Sequence, residues 1–141
     1  MQDMTATEYK RFLLDKARTG KLATVRPDGR PHVTPIWFDL DGDTIIFTTW
    51  HETVKASNMR RDARVCICVD DERPPFAFVQ IEGTAVLSDD ADARAYWAPR
   101  IAGRYMGAEL AESYGRRNNV AGELVVRITP TKIIAKKDMA G

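Results

Sequence analysis

Two histidines, two cysteines, a net charge of only +1 and no long apolar run narrow the chain considerably. A membrane-spanning helix needs ~20 consecutive apolar residues, and nothing here approaches that. The opening MQDMTATEYK lacks the apolar centre of a secretory leader. The expectation is therefore a cytoplasmic protein with no membrane association. Near-balanced charge, 21 Lys and Arg against 20 Asp and Glu, excludes a general affinity for polyanions. With no aromatic-basic platform, nucleic-acid binding is disfavoured. Cys66 and Cys68 sit two apart in an apolar run, which on a strand puts both on one face. That geometry is poor for a disulfide. With so few histidines, no metal-ligand set stands out. Both cysteines read as small buried hydrophobes. No Ser-His-Asp or paired-carboxylate arrangement stands out.

What is present is enough for one domain, 1–141, with a full core: 44% of residues are hydrophobic and 29% charged. TATEYKRFLLDKARTG reads as a helix capped by Thr5 or Thr7 and stopped by Gly20. KLATV, the turn Pro27-Asp28-Gly29-Arg30, HVTPIWFDL, the turn at Asp41–Asp43 and TIIFTT read as a three-stranded meander. RVCICV and FAFVQIEGTAVLS are further strands, with Gly83 marking a bulge or bend. A helical region spans about Asp89–Asn118, with Ala95, Ile101, Ala102 and Tyr105 on one side and breaks at Pro99, Gly103 and Gly107. ELVVRI and KIIAK read as two strands joined across Thr129-Pro130-Thr131. Six or seven short strands with two or three helices predict a mainly β fold, a small antiparallel barrel with helical caps. Such a barrel fills its interior with side chains. A ligand must then lie outside it, and burial between two copies of the chain would enclose it.

The most informative stretch is Phe47–Val69, FTTWHETVKASNMRRDARVCICV. It predicts a strand ending at Thr48 and Thr49, a short helix carrying Lys55, Asn58, Arg60 and Arg61, and another strand. Hydroxyls, free N–H groups at a helix start and clustered cations suit a ligand phosphate. An ordinary solvated basic helix face fits the same residues. Among the aromatics, Trp37 and Phe38 read as core or interface, while Tyr96 and Trp97 could pack or line an opening. His32 reads as a strand residue with one satisfied ring nitrogen. His51 reads as an exposed residue at the helix cap.

Three segments carry a resemblance to a known family: GKLATVRPDGRPHVTPIWF, TIIFTTWHETVKASNMRRDARVCICVDD and FVQIEGTAVLSDD. In order and spacing they resemble the split β-barrel flavoproteins related to pyridoxamine 5′-phosphate oxidase, over nearly the entire chain. DDERPPFAFVQIEGTA, APRIAGRYMG and YGRRNNVAGELVVRITPTKI are similar to the branch using the 5-deazaflavin coenzyme F420. The resemblance implies a homodimeric split barrel with the cofactor at the dimer interface. It places the backbone of Val33, Thr34, Pro35 and Ile36 beside the ring, Thr48 and Thr49 along the ribityl chain and phosphate, and Lys55 on the phosphate, with Asn58 and Arg61 as supports. Phe76, Phe78 and Gln80, with Arg104, Arg116, Arg117 and Asn118, are the candidates from the second subunit. The last four suit the carboxylates of a polyglutamate tail.

Two departures bear on the choice of ligand. Only a few residues follow Ile134, where pyridoxamine phosphate oxidases carry further substrate-binding basics, so that substrate is not expected. Val54 stands where flavin-binding members often carry Arg, which favours coenzyme F420 over FMN. The implied activity is hydride transfer between reduced F420 and an unsaturated small molecule such as an enone or quinone. No catalytic residue can be assigned, although Tyr105 and His51 are conceivable proton donors. The alternatives are an FMN-dependent oxidoreductase or flavin reductase, and a deazaflavin carrier without turnover.

Overall fold

A computed structural model describes all of residues 1–141. Helix α1 (Ala6–Asp15) starts at a reciprocal cap. The Thr5 hydroxyl accepts from Glu8 N–H at 3.2 Å, and the Glu8 carboxylate accepts from Thr5 N–H at 3.0 Å. Leu13 anchors this helix to the core. The helix ends at Lys16, and Gly20, expected as its stop, is instead the first residue of β2 (Gly20–Val25).

β2 and β3 (Pro31–Ile36) form the predicted hairpin around Pro27–Arg30. β4 (Asp39–Asp41) and β5 (Thr44–Trp50) form a second. The expected continuous strand through Leu40 is broken at Trp37 and Phe38, so β3 never pairs with β5 and the meander does not form. Phe38 is buried, and its backbone polar groups bond to side chains of the helical region instead of a ladder. The remaining elements are β1 (Gln2–Asp3), α2 (Val54–Arg61), β6 (Arg64–Asp71), β7 (Ala77–Ser88), α3 (Ala91–Met106), α4 (Ala108–Asn118) and β8 (Glu123–Lys137). The eight strands and four helices exceed the number expected. No helix is long and apolar enough to cross a membrane.

All pairings are antiparallel, in the order β3-β2-β6-β7-β8-β5-β4, with β1 added to the end of β8. β3 and β4 are the two ends of this order, yet only Trp37 and Phe38 separate them. Three peptide units reach about 10 Å, so the sheet must curl until its first and last strands are neighbours. No ladder joins them. The barrel is therefore split.

The interior holds Leu22, Phe38, Phe47, Ile67, Ile81, Val126 and Ile128. On β6 the aliphatic Val65, Ile67 and Val69 point inward, which turns Cys66 and Cys68 outward. The cysteines share a face as expected, but they are half-exposed free thiols, not core residues. Partial burial raises both thiol pKa values, and Glu82 and Asp70 add to the effect.

β8 runs unbroken through the expected Thr129–Thr131 junction. Pro130 has no N–H to give to a ladder, and a bulge accommodates it: Glu82 pairs with Lys132 and Gly83 with Pro130, leaving Thr131 extra. Gly83 lies at that irregularity because a Cβ there would sit 2.6 Å from the Thr129 carbonyl oxygen. In the helical region the break falls at Gly107 alone, whose φ of +88° suits glycine. Pro99 and Gly103 stay inside α3. The buried face of α3 is Trp97, Ala98, Ile101 and Ala102, while Ala95 is exposed, contrary to expectation. Trp97 and Ile101 cover Ile46 and Val125 on the outer face of β5 and β8, forming a second core.

Gly83→Ala is expected to cost about 1–3 kcal/mol, the range for forced overpacking. Urea unfolding measures it, and an unchanged midpoint would show that the close approach relaxes freely.

Candidate functional site

The seam that the sheet leaves open is also where the Phe47–Val69 stretch converges. Pro35, Ile36 and Trp37, at the end of β3, face Thr48, Thr49 and Trp50, at the end of β5, across a cleft of about 320 Å³. Ile101 of α3 and Asn118 of α4 contribute to its wall. Trp37 stacks on Tyr105, with centroids 5.1 Å apart and planes 2° from parallel. Trp37 thus lines the cleft, whereas Phe38 and Trp97 are core residues.

The start of α2 closes one end. The Thr53 hydroxyl accepts from Ala56 N–H at 3.2 Å, donates to the Trp50 carbonyl at 3.0 Å and lies 2.9 Å from the Thr49 hydroxyl. Thr53 has one proton, and it goes to Trp50, so Thr49 is the donor of the shared bond. Thr49 is 3% exposed and holds the cap in place, while Thr48 lies on the opposite face of the strand, beside Glu123. The cap is Thr53, not His51, whose ring packs 4.7 Å from that of Trp50.

Lys55 enters the cleft from the first turn of α2, half-buried. Burial pulls its ammonium below the ordinary lysine pKa, and the charge of Glu123 partly offsets this. Glu123, the first residue of β8, is pushed above the ordinary carboxyl value by burial, and the Thr48 hydroxyl and the charges of Lys55 and Arg94 hold it back. Hydroxyls, a helix N-terminus and one cation therefore converge on the seam, as a bound anion requires.

Of the predicted residues, Pro35, Ile36, Thr48, Thr49, Lys55 and Asn118 come together here. Val33 and Thr34 lie farther back along β3, with Val33 exposed. Asn58 and Arg61 do not reach the cleft. Asn58 is buried and its side-chain amide donates to the Thr24 hydroxyl at 3.0 Å, while Arg61 donates to the Val25 carbonyl. They fasten α2 to β2. Arg104 is likewise committed to backbone, donating to the carbonyls of Phe38, Leu13 (3.1 Å) and Lys16 (3.3 Å). Arg116 pairs with Glu112 at 2.7 Å, and Arg117 lies over the Tyr114 ring at 5.8 Å. Both precede Asn118 at the end of α4. Phe76 and Phe78 line a separate depression with Cys68 and Met139, and Gln80 lies on the same outer face of the sheet. None of these three belongs to the seam within one chain.

Tyr105 donates its proton to the Arg18 carbonyl at 2.7 Å and accepts from Phe38 N–H at 3.2 Å, which makes it a strut and not a free acid. The buried Nδ1 of His32 has no partner. The cleft residues missed from sequence are Trp37, which reads as core or interface, and Trp50, Thr53, Ile101 and Glu123. Thr53 was legible as a cap two positions before Lys55. Glu123 carried no local signal, since only strand pairing brings it opposite Trp50.

The family profile for pyridoxamine 5′-phosphate oxidase matches residues 6–137. A search of curated proteins finds no match. Among solved structures, the conserved hypothetical protein Rv2991 from Mycobacterium tuberculosis superposes with a TM-score of 0.84 at 28% identity, over 97% of this chain and 87% of that one. An F420 reductase superposes with a TM-score of 0.69 at 26% identity, over 87% of this chain and 94% of that one. An FAD-binding protein from Mesorhizobium loti shares the fold, with a TM-score of 0.71 at 18% identity over 95% of this chain and 93% of that one. Because the profile runs from the first residue of α1 to the last of β8, the chain belongs to the pyridoxamine 5′-phosphate oxidase family.

Proposed function

We propose that this chain is an oxidoreductase that binds the deazaflavin coenzyme F420 in the seam and passes hydride to or from an unsaturated small molecule such as an enone or quinone. The observation that carries the reading is Lys55, a half-buried cation at a helix start, flanked by Thr48, Thr49 and Thr53 in the open seam. The likeness to an F420 reductase supports the choice of coenzyme.

The residues fit such a group. Lys55 and the free N–H groups of α2 would receive the phosphate. Trp37, stiffened by Tyr105, gives the ring an apolar wall, and the end of β3, which no second ladder covers, offers backbone groups to the ring's polar edge. Asn118, with Arg116 and Arg117 just before it, stands at the end nearest an acidic tail. When bound, the deazaflavin supplies the hydride, and the protein orients it and excludes water.

A cleft of this size, bordered by exposed Pro35 and Trp50, covers only part of a tricyclic ligand. A second copy of the chain completes the site in this proposal. Its Phe76, Phe78 and Gln80 are the residues offered to the seam, since they are free of it within their own chain.

Fluorescence titration with F420 and with FMN, followed by oxidation of reduced F420 with a panel of enones and quinones, tests the function. The expected result is F420 binding with turnover of at least one acceptor. Tight FMN binding without F420 binding would assign the chain to the flavin users, and F420 binding without turnover would make it a carrier.

Lys55→Ala is expected to weaken F420 binding by about 1.5–3 kcal/mol, the range for a hydrogen bond to a charged group. Asn58→Ala is expected instead to lower stability by about 1–3 kcal/mol, by stranding the Thr24 hydroxyl. Affinity and urea midpoint, measured on both variants, separate these roles, and the opposite pattern would exchange them. Replacing Arg116 and Arg117 together by alanine is expected to weaken long-tailed F420 more than the tail-free deazaflavin. Equal losses for the two ligands would remove the tail assignment.

A further inference from the structure

The charged side chains in the seam are one cation and one acid. Lys55 comes from the first turn of α2, and Glu123 starts β8 opposite Trp50 in the ladder. Other charges nearby are engaged elsewhere. The Arg94 guanidinium, on α3, donates to the Asn119 side chain at 2.9 Å, although its charge is still felt at Glu123. Arg116 is held by Glu112 at 2.7 Å, and Arg60 donates to the His51 carbonyl at 3.0 Å. Lys55 and the α2 dipole together supply about one and a half positive charges, and the Glu123 carboxylate cancels one of them.

Resting on the cofactor-binding reading above, we infer that Glu123 is a specificity residue that selects the charge of the ligand's phosphate, so that the seam accepts a singly charged phosphodiester and disfavours a doubly charged phosphomonoester. The physical reason is local neutrality. A phosphomonoester carries roughly 1.5 to 2 negative charges at pH 7, whereas a diester carries one. In a half-buried cleft, charge left without a partner is costly, and the cost grows as water is excluded. A deazaflavin whose phosphate is a diester suits this seam, and FMN, a monoester, does not. Substituting glutamine keeps the side chain's size and removes the repulsion.

The test uses three ligands with one ring and one ribityl chain: riboflavin, FMN and the monomethyl phosphodiester of FMN. Fluorescence titrations at pH 8 compare the wild type, Glu123→Gln and Lys55→Ala. The wild type is expected to bind the methyl diester about tenfold or more tightly than FMN, and Glu123→Gln to bring FMN to within about threefold of the diester. A wild-type ratio near one overturns the assignment and needs no variant. An unchanged ratio in Glu123→Gln, in protein with a wild-type circular dichroism spectrum, overturns it too. If the diester exceeds riboflavin through Lys55 while FMN equals the diester, the site reading stands and only the role of Glu123 falls. If all three ligands bind alike in the wild type and in Lys55→Ala, the phosphate does not lie in the seam and both fall.

Discussion

The rest of the structure depends on a connection of two residues. Trp37 and Phe38 join strands that lie at opposite ends of a seven-strand path, so the sheet is bent into a barrel by covalent reach before any packing is counted. Closure stops at this connection: Phe38 gives its backbone groups to Tyr105 and Arg104, and no ladder joins the two edges. An unpaired edge is normally a hazard in a sheet. Here it becomes the wall of a cleft, and the candidate site is a consequence of how the barrel fails to close.

Placement of Lys55 follows from the same frame. Helix α2 is only eight residues long and would not be stable alone. It is held at its start by the Thr53 cap and its hydroxyl bond to Thr49, and farther along by Asn58 and Arg61 on the end of β2. The residues that looked like supports for a phosphate are thus supports for the helix that presents the lysine. Their contribution to the cleft is positional: they keep a half-buried ammonium where burial alone would disfavour it.

Much of this was legible from residue order, and the failures have a common cause. Hairpin turns, the Thr5 cap, the bulge near Gly83 and the strand-helix-strand unit around Lys55 are local, and local chemistry predicted them. The break at Trp37 was not legible, because the run His32–Leu40 is as strand-like as any other and only the tertiary path divides it. The spacing of Cys66 and Cys68 predicts their shared face but not that it is the outer one, since alternation alone does not say which set points inward. Arg104 looked like a tail-binding group from its charge, but its three carbonyl partners come from segments far away in sequence. Charge can be read locally, whereas commitment of that charge cannot.

The outer face of β5 and β8 is already covered by Trp97 and Ile101 of α3, and the interior is full. The face of β6 and β7 bearing Cys66, Cys68, Phe78 and Gln80 is half-exposed. Within one chain this face and the seam are separate. If a partner's face of this kind lies over the seam, the ring gains its missing wall. The thiols would then lie near a protein interface, where their raised pKa values keep them neutral. A neutral, weakly polar surface beside a bound ring suits hydride transfer, which needs a dry and oriented site more than it needs a charged catalyst. In the proposed chemistry the acid in the seam, Glu123, would act on the choice of ligand and not on the reaction.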